Sequence, residues 1–375
     1  MTDQPVIFEE RTAGNGRKVG FARLDAEKAL NALNPAMIAA LRPQLDAWAS
    51  DPDIACVVLH GAGEKAFCAG GDVVTMYHAI READGGPSEV CEQFFEQEYR
   101  LDYAIHTYPK PLLVWGHGIV MGGGLGMMVG ASHRVVTESS RIAMPEITIG
   151  LYPDVAGTWF LNRMPGRVGL FLGLTGAQMN AADALYTSLA DYFVPGDQRD
   201  AIFAALAEVD WDDDPELNRG HLSVLLRRFA DVSRDQRPES NVLQHLEFID
   251  HVTDHHSVEG ILESLRTAAP DDKWLATAVK TLERGSPTSA RLIFEQFRQG
   301  KYLSLKQVFQ RELNMSVQCT MHHDFPEGVR ALLVDKDKAP RWQPSTIAEV
   351  DDALIEEHFQ PPTGLDPSPL ADLPE

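Results

Sequence analysis

The sequence predicts an α/β protein built from repeated ββα turns, followed by an all-helical C-terminal region. Three observations carry this. Short β-rich runs alternate with helical stretches over the first two hundred residues. Glycine clusters follow apolar strands in KAFCAGGD and GIVMGGGLG. Beyond DWDDDPE (210–216) the patterns are helical, with no strong strand candidate until VRALLVD.

The first turn reads as the strand VGFARL, a helix in PAMIAALRPQLDAWA and the strand IACVVLHG. Met37, Ile38, Leu41, Leu45 and Trp48 recur at three- and four-residue steps, which puts them on one helix face, and Asn34 with Pro35 supplies a start signal. A second cycle runs through KPLLVWGHGIV, the glycine turn Gly122–Gly124, a helix in GLGMMVGAS, the strand RVVTES and the loop MPEITIGLYPDVAGTWFL. Helices follow in ILESLRTAA, KWLATAVKTLERG and LIFEQFRQG. The expected division is a core over 1–210, a helical region over 211–360 and a frayed, proline-rich tail over 361–375.

With 33 basic and 55 acidic residues among 375, the net charge of −22 repels phosphate backbones and acidic membranes. No nucleic-acid partner is expected. The long apolar stretch 112–131 is rich in glycine and carries His117, which suits buried strands and turns better than a membrane span. MTDQPVIFEE has neither a secretion-signal nor a transit-peptide pattern, so a soluble cytoplasmic protein is expected. Cys56, Cys68, Cys91 and Cys319 form no CxxC pair and are read as packing residues.

Several chemistries lack their motif. GLGMMV has Val129 where a dinucleotide fingerprint needs its third glycine, and Walker and GxSxG sequences are absent. His251 and His255 stand four apart without the glutamate of a zinc-protease motif, so a solvated helix face is the better reading. No metal is expected, and no cofactor.

KAFCAGGD and GIVMGGGLG each let a backbone approach a ligand closely with N–H groups exposed. Two such turns side by side can aim two amides at one oxygen, which is an oxyanion hole made of backbone alone; either one by itself is an ordinary tight turn. MPEITIGLYPDVAGT adds Glu146 and Asp154 among apolar and glycine neighbours, where a carboxylate is poised for base or nucleophile work.

KALNALN (28–34), KAFCAGGD, GIVMGGGLG and MPEITIGLYPDVAGT, in this order, resemble the crotonase (enoyl-CoA hydratase/isomerase) superfamily. The resemblance implies a crotonase-like spiral of ββα units that binds acyl-coenzyme A. By that match the N–H groups of Gly71 and Gly123 hold the thioester oxygen. Lys28, Ala29, Leu30, Lys65, Ala66, Ala69, Gly70 and Asp72 lie in the coenzyme A segments, with Lys28 and Lys65 as candidates for its phosphates. Coenzyme A itself enters as part of the substrate. Hydratases of the family carry one glutamate at the position of Gly126 and a second at Glu146, and commonly a small residue where Asp154 stands, so this chain departs from the hydratase pattern.

Those departures, with SPTSARLIFEQF and HHDFPEGVRALLVDKDKAPRWQP, resemble a hydrolase branch that cleaves 3-hydroxyisobutyryl-CoA or a similar short 3-hydroxyacyl-CoA in valine breakdown. His78 departs from that branch, where an acidic residue is expected. The resemblance implies catalysis by Glu146, as nucleophile or as base for water, with Asp154 reading the 3-hydroxyl or positioning water. A hydratase or isomerase of the same fold, and a non-catalytic acyl-CoA-binding protein, remain the alternatives. Homo-oligomerisation and the roles of Arg330, Lys336 and Lys338 stay open.

Overall fold

The computed structural model describes residues 4–83, 86–268, 271–362 and 364–375. The last alanine of ILESLRTAA and Thr363 of the tail lie outside them. The chain forms two units. The first is Met1–Gly71, Leu101–Ile142 and Met179–Leu243; the second is Asp72–Arg100, Ala143–Gln178 and Gln244–Glu375.

In the first unit β1 (Val6–Thr12) pairs antiparallel with β2 (Lys18–Leu24). β3 (Ile54–Gly61), β5 (Leu112–Gly116), β7 (His133–Val136) and β9 (Tyr192–Phe193) then add in parallel. β4 (Ala66–Cys68), β6 (Ile119–Met121) and β8 (Arg141–Ala143) make a second, three-stranded sheet. Successive strands therefore alternate between the two sheets, β3 then β4, β5 then β6, β7 then β8, with helices Val73–Glu82 and Gly123–Gly130 following the first two pairs. This is the predicted ββα repetition.

β5 is buried throughout and β3 nearly so, as parallel strands covered on both faces must be. Helix Pro35–Ser50 buries the five residues its periodicity selects; Asn34 caps it by accepting from the Met37 N–H, and Pro35 opens it. Trp48 of that helix lies so close to β2 that a Cβ on Gly20 would stand 2.8 Å from its ring. Phe21, Trp115 and Phe203 meet edge to face in the core.

The acidic stretch at 210–216 is not a boundary. Trp211 is buried and donates to the Leu206 carbonyl, and Asp214 caps helix Pro215–Val232. Leu222, Leu225 and Leu226 of that helix join the core of the sheet, so the first unit continues to Leu243. Burying each such leucine is worth about 1.5–3 kcal/mol, and the acids beside them stay exposed and solvated.

The second unit is mostly helical. Helices Lys273–Arg284, Pro287–Gly300 and Leu305–Met321 start at Asp272, Ser286 and Ser304, each side chain accepting a backbone N–H of the first turn. Two further expectations are corrected here. VRALLVD is no strand: helix Asp324–Val329 runs on as a π-helical turn, Arg330–Val334, where Arg330 gathers Glu327, Asp335 and Asp337. The segment 361–375 is no frayed tail, because Leu365, Leu370 and Leu373 are buried, Pro369–Asp372 is a 3-10 turn, and Arg100 binds Asp372 and the Pro369 carbonyl. Three buried leucines hold this segment in place despite the prolines around them.

Candidate active site

In the first unit the glycine turns lie against each other. β4 and β6 pair in parallel, which brings the two following loops together. Gly70, at φ +113°, backs onto Met121, whose carbonyl oxygen would be 3.5 Å from a Cβ there, and a Cβ on Gly124 would stand 2.3 Å from the Cys68 carbonyl oxygen. Neither the Gly71 nor the Gly123 N–H is donated to another group among the described residues. Gly123 opens helix Gly123–Gly130, where first-turn N–H groups have no helical partner and the dipole favours negative charge.

The KALNALN segment is tied to the first of these turns. Leu33 N–H donates to the Gly70 carbonyl and Ala69 N–H to the Leu30 carbonyl. Asn31, buried and at φ 54°, accepts from Ala26 N–H and donates to the Ala62 and Ala66 carbonyls. This asparagine is a residue that sequence reasoning missed. Lys28, Ala29 and Lys65 are exposed around this link, Leu30 and Ala69 are half-buried, and Ala66 is buried in β4. Cys68 is buried, with its thiol against the Gly70 carbonyl.

The second unit gathers the carboxylates. Glu146 opens the 3-10 turn Glu146–Ile149, which ends at Gly150 in the left-handed region, φ +74°. A Cβ at Gly150 would collide with the Asp324 backbone, and one at Gly328 with Ile149, so glycines at both positions let the turn seat against helix Asp324–Val329. Glu146 is buried, and its Oε2 has no hydrogen-bond partner among the described residues. Burial, with the Asp154 and Glu98 carboxylates adding to it, holds its carboxyl well above the ordinary range.

Asp154 is likewise buried, and burial pushes its carboxyl up to about 6 against the opposing effect of a hydrogen bond from Tyr99. Its Oδ2 accepts from the Tyr99 hydroxyl at 2.8 Å. Val155 and Ala156 follow with φ of 50° and 70°. Two successive left-handed residues with side chains, one of them β-branched, each cost about 1–3 kcal/mol and need support. Glu312 gives it by accepting from the Ala156 and Thr158 N–H groups, and Gln296 by donating to the Pro153 carbonyl and the Thr158 hydroxyl. Burial raises the Glu312 carboxyl to about 8, opposed by its bonds to Thr158 and Ala156.

Glu98 completes the cluster. It is buried, and its carboxyl is raised by burial and by Asp154. Sequence reasoning missed Glu98, Tyr99, Glu312 and Ser316. The available signal was a charged or polar residue on the apolar face of a helix, as Glu98 is beside Phe94, Phe95 and Tyr99.

Other candidates have different work. Asp72 caps helix Val73–Glu82, its carboxylate accepting from the Thr75 N–H and hydroxyl. Arg330 is taken up by its three acids. His78 is exposed beside Tyr77, His323 meets the Arg341 carbonyl and His322 stacks on His358. No cluster of three or more His, Cys, Asp or Glu able to hold a metal occurs among the described residues, nor does a helix long and apolar enough to cross a membrane.

A ββα spiral with paired glycine turns and a carboxylate loop defines one class, and comparison bears it out: the pattern of the enoyl-CoA hydratase/isomerase family matches residues 19–359, and the chain belongs to that family. Within it, the chain is similar to proteins named 3-hydroxyisobutyryl-CoA hydrolase. The mitochondrial protein of Danio rerio is 40% identical over 91% of this chain and 87% of its own length. The mitochondrial protein of Homo sapiens is 35% identical over 91% and 86%, and 3-hydroxyisobutyryl-CoA hydrolase 1 of Arabidopsis thaliana is 34% identical over 95% and 91%.

Among solved structures, a carnitinyl-CoA dehydratase from Mycobacterium thermoresistibile superposes with a TM-score of 0.84 at 35% identity, covering 96% of this chain and 98% of its own. An enoyl-CoA hydratase from Rhodobacter sphaeroides gives 0.81 at 32%, covering 95% and 97%. The cytoplasmic expectation is corrected by the first two relatives, whose names place them in mitochondria.

Proposed function

We propose that this protein hydrolyses the thioester of 3-hydroxyisobutyryl-CoA, or of a similar short 3-hydroxyacyl-CoA, to the free acid and coenzyme A. The observation that carries the reading is Glu146: a buried carboxylate with an unpartnered oxygen, in a cluster with Asp154 and Glu98, and with Gly126 where a hydratase would need its second acid.

In this reading the Gly71 and Gly123 N–H groups take the thioester oxygen as it gains charge. Such a donor typically contributes about 2.7–4 kcal/mol to the transition state. Glu146 attacks the carbonyl carbon and expels the coenzyme A thiolate to give an acyl-enzyme anhydride, which water then cleaves to the free acid and Glu146, or it draws a proton from a water that attacks the thioester directly and expels the same thiolate. The leaving thiol has a pKa of about 8.5, so its departure needs little proton assistance and one well-placed carboxylate suffices. Asp154 accepts the substrate's 3-hydroxyl, and a buried acceptor discriminates strongly against acyl groups that lack one. Coenzyme A lies along Lys28–Leu30 and Lys65–Gly70, with the two exposed lysines toward its phosphates. The reading uses no metal and no cofactor beyond the coenzyme carried by the substrate.

The test is thiol release from 3-hydroxyisobutyryl, 3-hydroxypropionyl, 3-hydroxybutyryl and crotonyl thioesters. Release from the 3-hydroxy substrates and none from crotonyl-CoA is expected. Hydration of crotonyl-CoA without thiol release would instead establish a hydratase.

A further inference from the structure

Asp154 ends a chain of hydroxyl groups that its proposed role does not require. Tyr99 lies 2.6 Å from the Ser316 hydroxyl, Ser316 lies 2.8 Å from the Tyr152 hydroxyl, and Tyr152 donates to the Glu312 carbonyl at 2.6 Å. Tyr99, Tyr152 and Ser316 are fully buried. Ser316 and Glu312 stand one turn apart on helix Leu305–Met321. One face of that helix therefore supplies both the chain and the carboxylate that braces the loop after Asp154.

Counting protons exposes what the chain does. From Asp154 Oδ2 to the Glu312 carbonyl there are four contacts, and the three hydroxyls bring three protons. With Asp154 ionised, Tyr99 donates to it and Tyr152 donates to the Glu312 carbonyl. The single Ser316 proton then fills one of its two contacts and leaves two oxygens facing each other in the second. With Asp154 protonated on Oδ2, every contact is filled: Asp154 donates to Tyr99, Tyr99 to Ser316, Ser316 to Tyr152 and Tyr152 to the carbonyl.

We infer that Tyr99, Ser316 and Tyr152 are positioning residues whose hydroxyls turn over together as Asp154 gains or loses a proton, keeping Oδ1 of Asp154 an acceptor for the substrate hydroxyl in both states. The inference rests on the proposed role of Asp154. Its surroundings favour such a proton: the titratable groups facing it are Glu98 and Tyr99 on helix Glu89–His106, Glu146 and Tyr152 in its own segment, and Glu312 and Cys319 on helix Leu305–Met321.

The sign of one substitution is diagnostic. Ser316→Ala removes the contact that is empty when Asp154 is ionised, and strands the Tyr99 proton when Asp154 is protonated. The Asp154 titration should therefore move down by roughly one pH unit. Tyr152→Phe should move it the same way, and Ser316→Thr, which keeps the hydroxyl, should leave it in place. The measurement is a carboxyl NMR titration of protein labelled with 13C-aspartate, with the resonance assigned through Asp154→Asn.

Looser packing that admitted water would also lower the midpoint, so Ser316→Ala is repeated in a Tyr99→Phe background. A cut chain predicts no further shift there, and a persisting shift overturns the inference. So does an upward or absent shift in the single variants. The substrate half is read separately, from the ratio of kcat/KM for 3-hydroxyisobutyryl and isobutyryl thioesters. Asp154→Asn should reduce that ratio at least tenfold; an unchanged ratio overturns the acceptor role whatever the titration shows.

Discussion

Gly124→Ala is the sharpest probe of the paired glycine turns, because it adds one methyl group where the two backbones touch. The new Cβ would stand 2.3 Å from the Cys68 carbonyl oxygen, 2.8 Å from the Cys68 Cβ and 2.9 Å from its carbonyl carbon. Ordinary contact begins near 3.4 Å, so the turns must separate by about 1 Å, and neither neighbour is a flexible side chain that could swing aside. Overpacking of this kind costs about 1–3 kcal/mol of stability. A displacement of about 1 Å at a catalytic group costs about a hundredfold in rate, equivalent to roughly 2.7 kcal/mol. The assay pairs thiol release under saturating substrate with thermal unfolding of the same sample. A lowered Tm together with a kcat reduced about a hundredfold, measured where the variant is fully folded, is expected. Wild-type kcat in a variant whose Tm has fallen would show that the separation of these turns is irrelevant to catalysis, and the amide hole would have to be abandoned.

Three further outcomes are expected. Glu146 is held well above the ordinary carboxylate range and Asp154 at about 6. If ionised Glu146 is the working form, kcat/KM rises with pH along a limb centred clearly above 4.3, the ordinary glutamate value; a limb at or below that value would refute its assignment as the working carboxylate. Stability runs the other way. An acid whose folded pKa is raised stabilises the protein fully below its unfolded pKa and loses that contribution as pH climbs through the folded one, so Asp154 withdraws stability between about 3.8 and about 6. Leu370→Ala, at a fully buried position near the chain end, should cost about 2–5 kcal/mol in denaturant unfolding, whereas a frayed end would give no change.

How far the sequence discloses this site depends on where each residue's signal lies. Strands β2, β3, β5 and β7, helix Pro35–Ser50 and both glycine turns are legible because their cues are local: apolar runs, periodicity, a cap, a glycine run beside an apolar strand. Glu146 and Asp154 stand out because they share a short loop crowded with proline and glycine. Glu98 and Glu312 do not, because each lies in a helix that carries several other charged residues, and nothing in the sequence separates them from such neighbours as Glu96 and Arg311, which are less buried. Asn31 has no local signal inside its motif, though its clamp on Ala62 and Ala66 is what ties that motif down. Asp72 has a second reading that the motif does not announce: its carboxylate caps the helix it begins. The extent of the first unit is hidden in the sequence for a related reason. DWDDDPE reads as a linker by charge, whereas Trp211 and Asp214 make it the anchored start of a helix.

Glu146 is tested most directly by single-turnover hydrolysis of 3-hydroxyisobutyryl-CoA by the wild-type protein and by Glu146→Gln, with binding of coenzyme A measured on both. The amide keeps the size of the side chain while removing its charge and nucleophilicity. Hydrolysis slowed at least a thousandfold with coenzyme A affinity within a factor of about three is the predicted result, and hydrolysis at the wild-type rate in the glutamine variant would contradict it.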